Sequence, residues 1–351
     1  MLKQYFSSLP EDFAIPSILV VGCGRVGESI VRAYVDNAPH GSVSIYVTDS
    51  DKERARKLSE YRLSCITPIR WRSAHDTPED VDIIVIAVDH DSEYKVIDRL
   101  ALSKKPFVSL SDDAAVFEAY EEYEDEFRES NVRGIIGTGL VPGVSNILMH
   151  KFAQNFDKVL DIVVERLGFV SASSLASLKN ARKESPLSVR DGIISDSRRD
   201  AGNALSWFPS PYDLVELQSV ATGVLALKQS FPDSHNISVR FAEPKLPTFS
   251  ERVRNIFLKV PLTTTRACVK VEIHGIIDGE IQTRVYALAG DAMKIITQTS
   301  VMAINGLFNA DVYQDRDEIF LNCDEVIDSD ELLVSLCESD ISLYRFDGNE
   351  I

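Results

Sequence analysis

The sequence predicts an α/β protein: an N-terminal doubly wound parallel sheet, followed by an α+β part with a mainly antiparallel sheet. Three observations predict it. Short apolar runs alternate with helix-spaced amphipathic runs over the first 150 residues, the order of a parallel sheet with helices on both faces. The first apolar run ends in a glycine-rich turn that opens a helix. In the second half, alternating runs flank an Asp-Gly pair, the favoured two-residue hairpin turn.

The first strand is "SILVV", residues 17–21, and "GCGRVGESIVRAYVDN" follows it. Gly22, Gly24 and Gly27 match G-x-G-x-x-G, with Arg25 and Val26 between them. Each glycine has a physical reason: Gly22 permits the tight turn, Gly24 lets the backbone approach a pyrophosphate, and Gly27 lets helix and strand pack closely. Free N–H groups at the helix start would face the phosphates. The second strand, "VSIYVTD" (43–49), ends in Asp49, 22 positions after Gly27. Its carboxylate would accept hydrogen bonds from the adenine ribose. That leans toward NAD over NADP, whose 2′-phosphate would meet a like charge; Lys52 and Arg54 close behind soften the lean. The plain alternative is a tight turn with no ligand.

The pattern continues with strands at 64–71, 81–88, 106–113 and 132–139, and helices over 91–102 and the acidic stretch from Ala115 to Asn131. The run 81–88 is continuously apolar, as in a strand buried on both faces. This is a Rossmann arrangement, and ligands bind beyond the carboxyl ends of its strands. Asp76, Ala87 and Val88 join Gly22, Gly24, Arg25, Val26, Gly27 and Asp49 as candidate cofactor contacts. Asp112 and Asp113, at the end of the fifth strand, are candidate acid–base groups, with capping of the next helix the alternative for one of them. "GTGLVPGVSN" (137–146) lies at the end of the sixth strand, so Gly139, Pro142, Gly143 and Asn146 are candidates for lining the substrate side.

In the second half, "LDIVVERLGFV" (160–170), "ISVRFA", "FLKVPL" and the stretch 267–289 read as strands. The segment 171–203 carries six Lys and Arg residues. It reads as a solvated loop or as a pocket wall that holds substrate carboxylates or phosphates through Arg190 or Arg198. Residues 291–308 form a helix with Ala292, Ile295, Ile296, Thr299, Met302 and Ala303 at helical spacing.

Composition bounds the function. A net charge of −17 argues against general nucleic-acid binding and against docking on anionic lipid. No apolar run reaches a membrane span, and the N-terminus lacks a signal-peptide core. The five cysteines form no CxxC or Cys/His cluster, so neither zinc nor a disulfide frame is indicated, and a reduced cytoplasmic setting fits.

Taken in order, "SLSDD" (109–113), "GLVPGVSN" (139–146), "WFPSPYDLVEL" (207–217) and the C-terminal segment resemble the saccharopine dehydrogenase-like oxidoreductases over nearly the full chain. The resemblance implies a Rossmann domain (1–145), an inserted α+β domain for substrate and dimer contacts (146–290), and a C-terminal segment packing back on the first domain (291–351). It implies a homodimer that uses NAD or NADP for hydride transfer to or from a small metabolite, often at a carbon bonded to nitrogen. The saccharopine reductases themselves carry aspartate, aspartate and histidine where this chain has Val141, Ser145 and Asn146. The founding substrate is therefore not carried over. A non-catalytic dinucleotide-binding sensor or structural protein is the alternative function.

Overall fold

The computed structural model describes residues 2–10, 13–39, 43–168, 185–196, 204–210, 212–242, 266–308 and 317–345. The first part runs α1 (Leu2–Ser8), β1 (Ile18–Val21), α2 (Arg25–Asn37), β2 (Ile45–Thr48), α3 (Lys52–Ser59), β3 (Ile66–Pro68) and β4 (Ile83–Ile86). It continues through α4 (His90–Tyr94), α5 (Ile97–Ser103), β5 (Phe107–Ser109), α6 (Ala114–Glu122), α7 (Glu124–Glu129), β6 (Gly134–Ile136) and α8 (Val144–Ala153). The second part holds β7 (Lys158–Leu167), β8 (Leu187–Arg190), β9 (Ile193–Asp196), β10 (Ala204–Phe208) and β11 (Asp213–Ser219). Next come α9 (Val224–Ser230), β12 (Asn236–Ala242), β13 (Arg266–Ile277) and β14 (Glu280–Asp291). The chain closes with α10 (Ala292–Phe308), β15 (Phe320–Leu321), α11 (Ser329–Cys337) and β16 (Ser342–Arg345).

The first sheet has the order β15-β6-β5-β4-β1-β2-β3 and every pairing is parallel. β1 and β4 are buried along their whole length, which explains their unbroken Ile/Leu/Val runs. The strand order reverses between β1 and β4, and that is where an open α/β sheet leaves a crevice. The strands are shorter than the sequence predicts, at two to four residues each. Their flanks leave the ladder to form the turns at the carboxyl edge. The expected helix over 91–102 is two helices, α4 and α5. The acidic helix is broken at Tyr123, which turns Phe127 onto Phe107 and Tyr120.

The second sheet is mixed, in the order β10-β11-β12-β7-β13-β14-β16, with β8 and β9 attached at β12. β12 and β7 run parallel and the other pairs antiparallel. β13 and β14 form the expected hairpin about Asp278 and Gly279, both at positive φ. The expected strand "FLKVPL" and most of the basic segment 171–203, Arg198 included, lie outside the described residues.

The stretch 291–351 is divided between the sheets. Helix α10 buries its predicted apolar stripe and lies against α2, where Ser29 meets Thr297 at 2.6 Å and the Tyr34 hydroxyl donates to Asn305 at 2.8 Å. β15 extends the first sheet beside β6. β16 instead pairs with β14 in the second sheet, so the last of the described residues lie there. Among the described residues, no helix is long and apolar enough to cross a membrane.

Candidate active site

The carboxyl ends of β1, β2 and β4 open into a cleft of about 810 Å³, within the range of small-molecule sites. Its floor is the glycine turn. Gly22 sits at φ +103°, and a Cβ there would lie 2.5 Å from the Ala87 carbonyl oxygen. A Cβ on Gly27 would lie 1.9 Å from the Gly22 carbonyl oxygen, so helix α2 reaches β1 only with glycine at that position. Gly24 differs from both. A Cβ built there meets nothing within 4 Å, so the space over this residue is open. Gly24 is also the N-cap of the 13-residue α2, whose first N–H groups have no intrahelical acceptor. An open glycine at a helix N-terminus is the geometry that receives a phosphate.

The predicted cofactor contacts divide. Gly22, Gly24, Asp49, Ala87 and Val88 line the cleft. Arg25, Val26 and Gly27 form the first turn of α2 beside it. Asp49 accepts from the backbone N–H of Cys23 at 2.7 Å and of Asp51 at 2.8 Å. Asp76 is corrected: it is absent from the cleft wall, and its carboxylate takes the N–H groups of Arg72 and Ser73, both at 2.8 Å. Those two bonds hold its carboxyl below the usual range. Asp76 therefore shapes the loop that carries Arg70, Trp71 and Arg72.

That loop was not legible as part of the site. Arg70 and Arg72 line the cleft with Lys52, Arg54, Arg56, Lys95 and Arg99, against two carboxylates, Asp49 and Asp89. Arg56 is tied to Glu53 and Glu60, Arg54 lies 3.5 Å from Asp51, and Arg99 lies over the Trp71 ring. Lys52, Arg70, Arg72 and Lys95 pair with no carboxylate among the described residues. A basic wall thus stands inside an acidic protein. The one sequence signal was the run of cations at Arg70, Arg72, Lys52 and Arg54 just past two strand ends.

The next edge of the sheet holds the acid–base candidates, and both carboxylates are engaged. Asp113 caps α6 by accepting from the Ala115 N–H at 3.0 Å. Asp112 accepts from Arg166 of β7 at 2.8 Å. His90 places its buried Nδ1 3.8 Å from Asp113 without a hydrogen bond. Beneath them, Glu93 of α4 is fully buried and accepts from the Ser109 and Tyr120 hydroxyls. Burial pushes its carboxyl up to about 7, the two hydrogen bonds pull it down, and Asp113 and Asp112 add to the rise. Arg166 and Glu93 were both missed; a charged residue inside the apolar run "DIVVERL" was the signal for the first.

The substrate-side candidates within the described residues lie away from the open cleft. Residues 137–146 are buried throughout. Gly143 is at φ +116°, and a Cβ there would lie 2.4 Å from the Gly139 carbonyl oxygen. Gly137 would likewise meet Pro142. The glycines let the turn close on itself, and Gly139, Pro142 and Gly143 do not line the open cleft. Asn146 is 0% exposed and donates to Ser230 of α9 at 3.2 Å. Arg190 ends β8 on an exposed hairpin and is not part of the cleft wall. Among the described residues, no group of three or more His, Cys, Asp or Glu side chains is placed to hold a metal.

Comparison with known proteins fits this geometry. Residues 17–112 match the family described as NADP oxidoreductase, coenzyme F420-dependent. The fold is similar to that of saccharopine dehydrogenase (L-Glu forming) from Saccharomyces cerevisiae, at 11% identity and a TM-score of 0.67, over 95% of this chain and 100% of that one. It is also similar to homospermidine synthase from Legionella pneumophila, solved in complex with NAD, at 10% identity and a TM-score of 0.56, over 95% and 92% of the two chains. No curated protein sequence matches the chain. The likeness is one of fold, and the motif order that resembled the saccharopine dehydrogenases is embedded in that same architecture.

Proposed function

We propose that this protein is a nicotinamide-dinucleotide-dependent oxidoreductase that transfers hydride to or from a small metabolite at a carbon–nitrogen centre. One observation carries the reading: Gly24 presents an open backbone at the N-terminus of α2, in a cleft at the point where the strand order reverses. The residues present fit a dinucleotide. The first turn of α2 would hold the pyrophosphate, Asp49 would fix the glycine turn, and Ala87 and Val88 would floor the crevice toward the nicotinamide. The bound dinucleotide supplies or accepts the hydride. The chain's own part is to orient it, exclude water and hold the substrate at the ends of β4 and β5.

For the cofactor, the lean toward NAD rested on Asp49 alone. Its carboxylate already accepts two backbone N–H groups, and four cations with no carboxylate partner among the described residues line the same cleft. The balance supports NADP(H), with Arg70, Arg72 and Lys52 as the partners of a 2′-phosphate. Self-association through the second sheet and a reducing, cytoplasmic setting complete the proposal. Trp207 and Leu214 oppose each other across β10 and β11 and are exposed, and all five cysteines are free thiols. Incubation with NADPH and a panel of imines or of 2-oxo acids with amines, followed by cofactor absorbance, tests the activity. Turnover with at least one imine-forming pair is expected. NADPH binding with no consumption across the panel would contradict the catalytic reading.

A further inference from the structure

Glu93 is a carboxyl group in a place that suits no charge. It lies on α4, the five-residue helix after β4, and is 0% exposed. The hydroxyls of Ser109 on β5 and Tyr120 on α6 both donate to its Oε1, the second at 2.7 Å. Its Oε2 is buried and has no hydrogen-bond partner among the described residues. A neutral carboxyl there leaves one hydrogen bond unmade, whereas a carboxylate also puts a charge into the core with one oxygen bare. The charged groups around it do not offset that. Asp112 and Asp113, just ahead of α6, repel a further negative charge. Arg166 of β7 donates to Asp112 at 2.8 Å. His90, on α4 itself, lies 3.8 Å from Asp113 and 3.3 Å from the exposed Asp91. Burial pushes the Tyr120 hydroxyl well above its ordinary value, so it stays a donor.

The other side of α4 belongs to the dinucleotide cleft. Its N-cap Asp89, its Ser92 and its C-cap Lys95 line that cleft, and Val96 and Arg99 continue the wall. The Ser92 N–H and hydroxyl each donate to the Asp89 carboxylate at 3.1 Å. Ser92 and Glu93 are consecutive, so one turn of helix carries both a cleft contact and the buried carboxyl. Whatever disturbs the seat of Glu93 on β5 and α6 is therefore felt in the cleft wall.

We infer that Glu93 is a proton-operated switch on the dinucleotide site: protonated, it seats α4 against Ser109 and Tyr120 with the cleft wall in place, and ionised, it loosens that seat and weakens the hold on the dinucleotide. This rests on the dinucleotide reading above and adds the regulation of that site. The phosphates of the ligand act in the same direction, because negative charge in the cleft disfavours a carboxylate behind its wall. Binding thus draws a proton onto Glu93, and by reciprocity a proton on Glu93 strengthens binding. The carboxyl of the free protein is raised to about 7, chiefly by burial. Affinity is therefore full below that value, falls as pH rises through it, and levels off once Glu93 is ionised in the complex as well.

Calorimetric titration with NADPH between about pH 6 and about pH 9, in buffers of different ionisation enthalpy, tests this on wild type and Glu93→Gln. Glutamine keeps the neutral shape and cannot ionise, and comparison with it cancels the titration of the 2′-phosphate. The affinity of wild type relative to Glu93→Gln should fall about fivefold or more across the range. Just above neutrality, wild type should take up roughly 0.4 proton more on binding, the fraction that a fivefold change implies. His90→Gln should retain that excess uptake. Tyr120→Phe removes a hydrogen bond that holds the carboxyl down, and should move the fall in affinity to higher pH. Thermal midpoints report that each variant is folded. A wild-type to Glu93→Gln affinity ratio that is constant with pH would overturn this inference alone. So would excess uptake that vanishes in His90→Gln, or a fall that stays in place in Tyr120→Phe. Failure of wild type to bind NADPH at any of these pH values would overturn the dinucleotide reading and this inference with it.

Discussion

The backbone N–H of Cys23 donates to the Asp49 carboxylate across 2.7 Å and ties the glycine turn after β1 to the end of β2. The residue predicted to read the ribose therefore also holds the glycine turn in shape. Asp49→Ala leaves that N–H without its acceptor, at a cost of about 1 kcal/mol. It is expected to weaken NADH and NADPH alike, by roughly fivefold. Calorimetry on the two nucleotides checks this; loss of NADH binding with NADPH untouched would mean the carboxylate acts on the ribose alone.

The basic wall should set the choice of dinucleotide. Replacing Arg70 and Arg72 together by glutamine removes two of the four cleft cations that have no carboxylate partner among the described residues. NADPH affinity is expected to fall by about tenfold or more, the worth of charge-assisted pairing to a phosphate, while NADH affinity changes little. Equal losses for both nucleotides would show that the arginines do not read the 2′-phosphate.

Glu93 makes stability depend on pH with a definite sign. Its carboxyl is raised to about 7 in the folded protein, from 4.5, chiefly by burial. Between those values the folded state binds the proton more tightly than the unfolded chain. The stabilisation is complete below the unfolded value and is lost as pH rises through the folded one, by up to roughly 3 kcal/mol. Glu93→Gln cannot ionise, so its thermal midpoint should fall less than that of wild type between about pH 5 and about pH 7.5. Parallel profiles would show that Glu93 is already ionised across that range.

The turn at Gly143 is a folding element. An added Cβ would press on the Gly139 and Gly137 carbonyl oxygens at 2.4 and 2.7 Å, at a φ that side chains rarely adopt. Gly143→Ala is expected to destabilise the protein by at least about 2 kcal/mol, read from chemical denaturation. A neutral effect would mean the turn can open without cost.

These residues show what the sequence could and could not convey. The glycine turn, the buried β1 and β4 runs and the Asp278-Gly279 hairpin are local patterns, each with a backbone reason, and all three stand where they were expected. The second sheet was legible as strands, but its order was not, because the pairing of β7 with both β12 and β13 joins residues far apart in the chain. "GLVPGVSN" conveys less, for a physical reason: glycines needed for ligand approach and glycines needed for a turn to pack on itself look alike in sequence. No local pattern assigns Arg70, Arg72 or Arg166 to a site. Only the tertiary fold sets the first two in one cleft and places the third opposite Asp112.

The most direct measurement is a calorimetric titration of NADPH into wild type and Gly24→Val. The backbone at Gly24 is extended, with φ −73° and ψ −173°, and a Cβ there touches nothing, so valine should leave the fold and its thermal midpoint unchanged. Its side chain would occupy the space assigned to the pyrophosphate. Binding to wild type and its loss in Gly24→Val is the predicted result. Equal binding in both proteins, or none in wild type, would contradict the account of this cleft as a dinucleotide site.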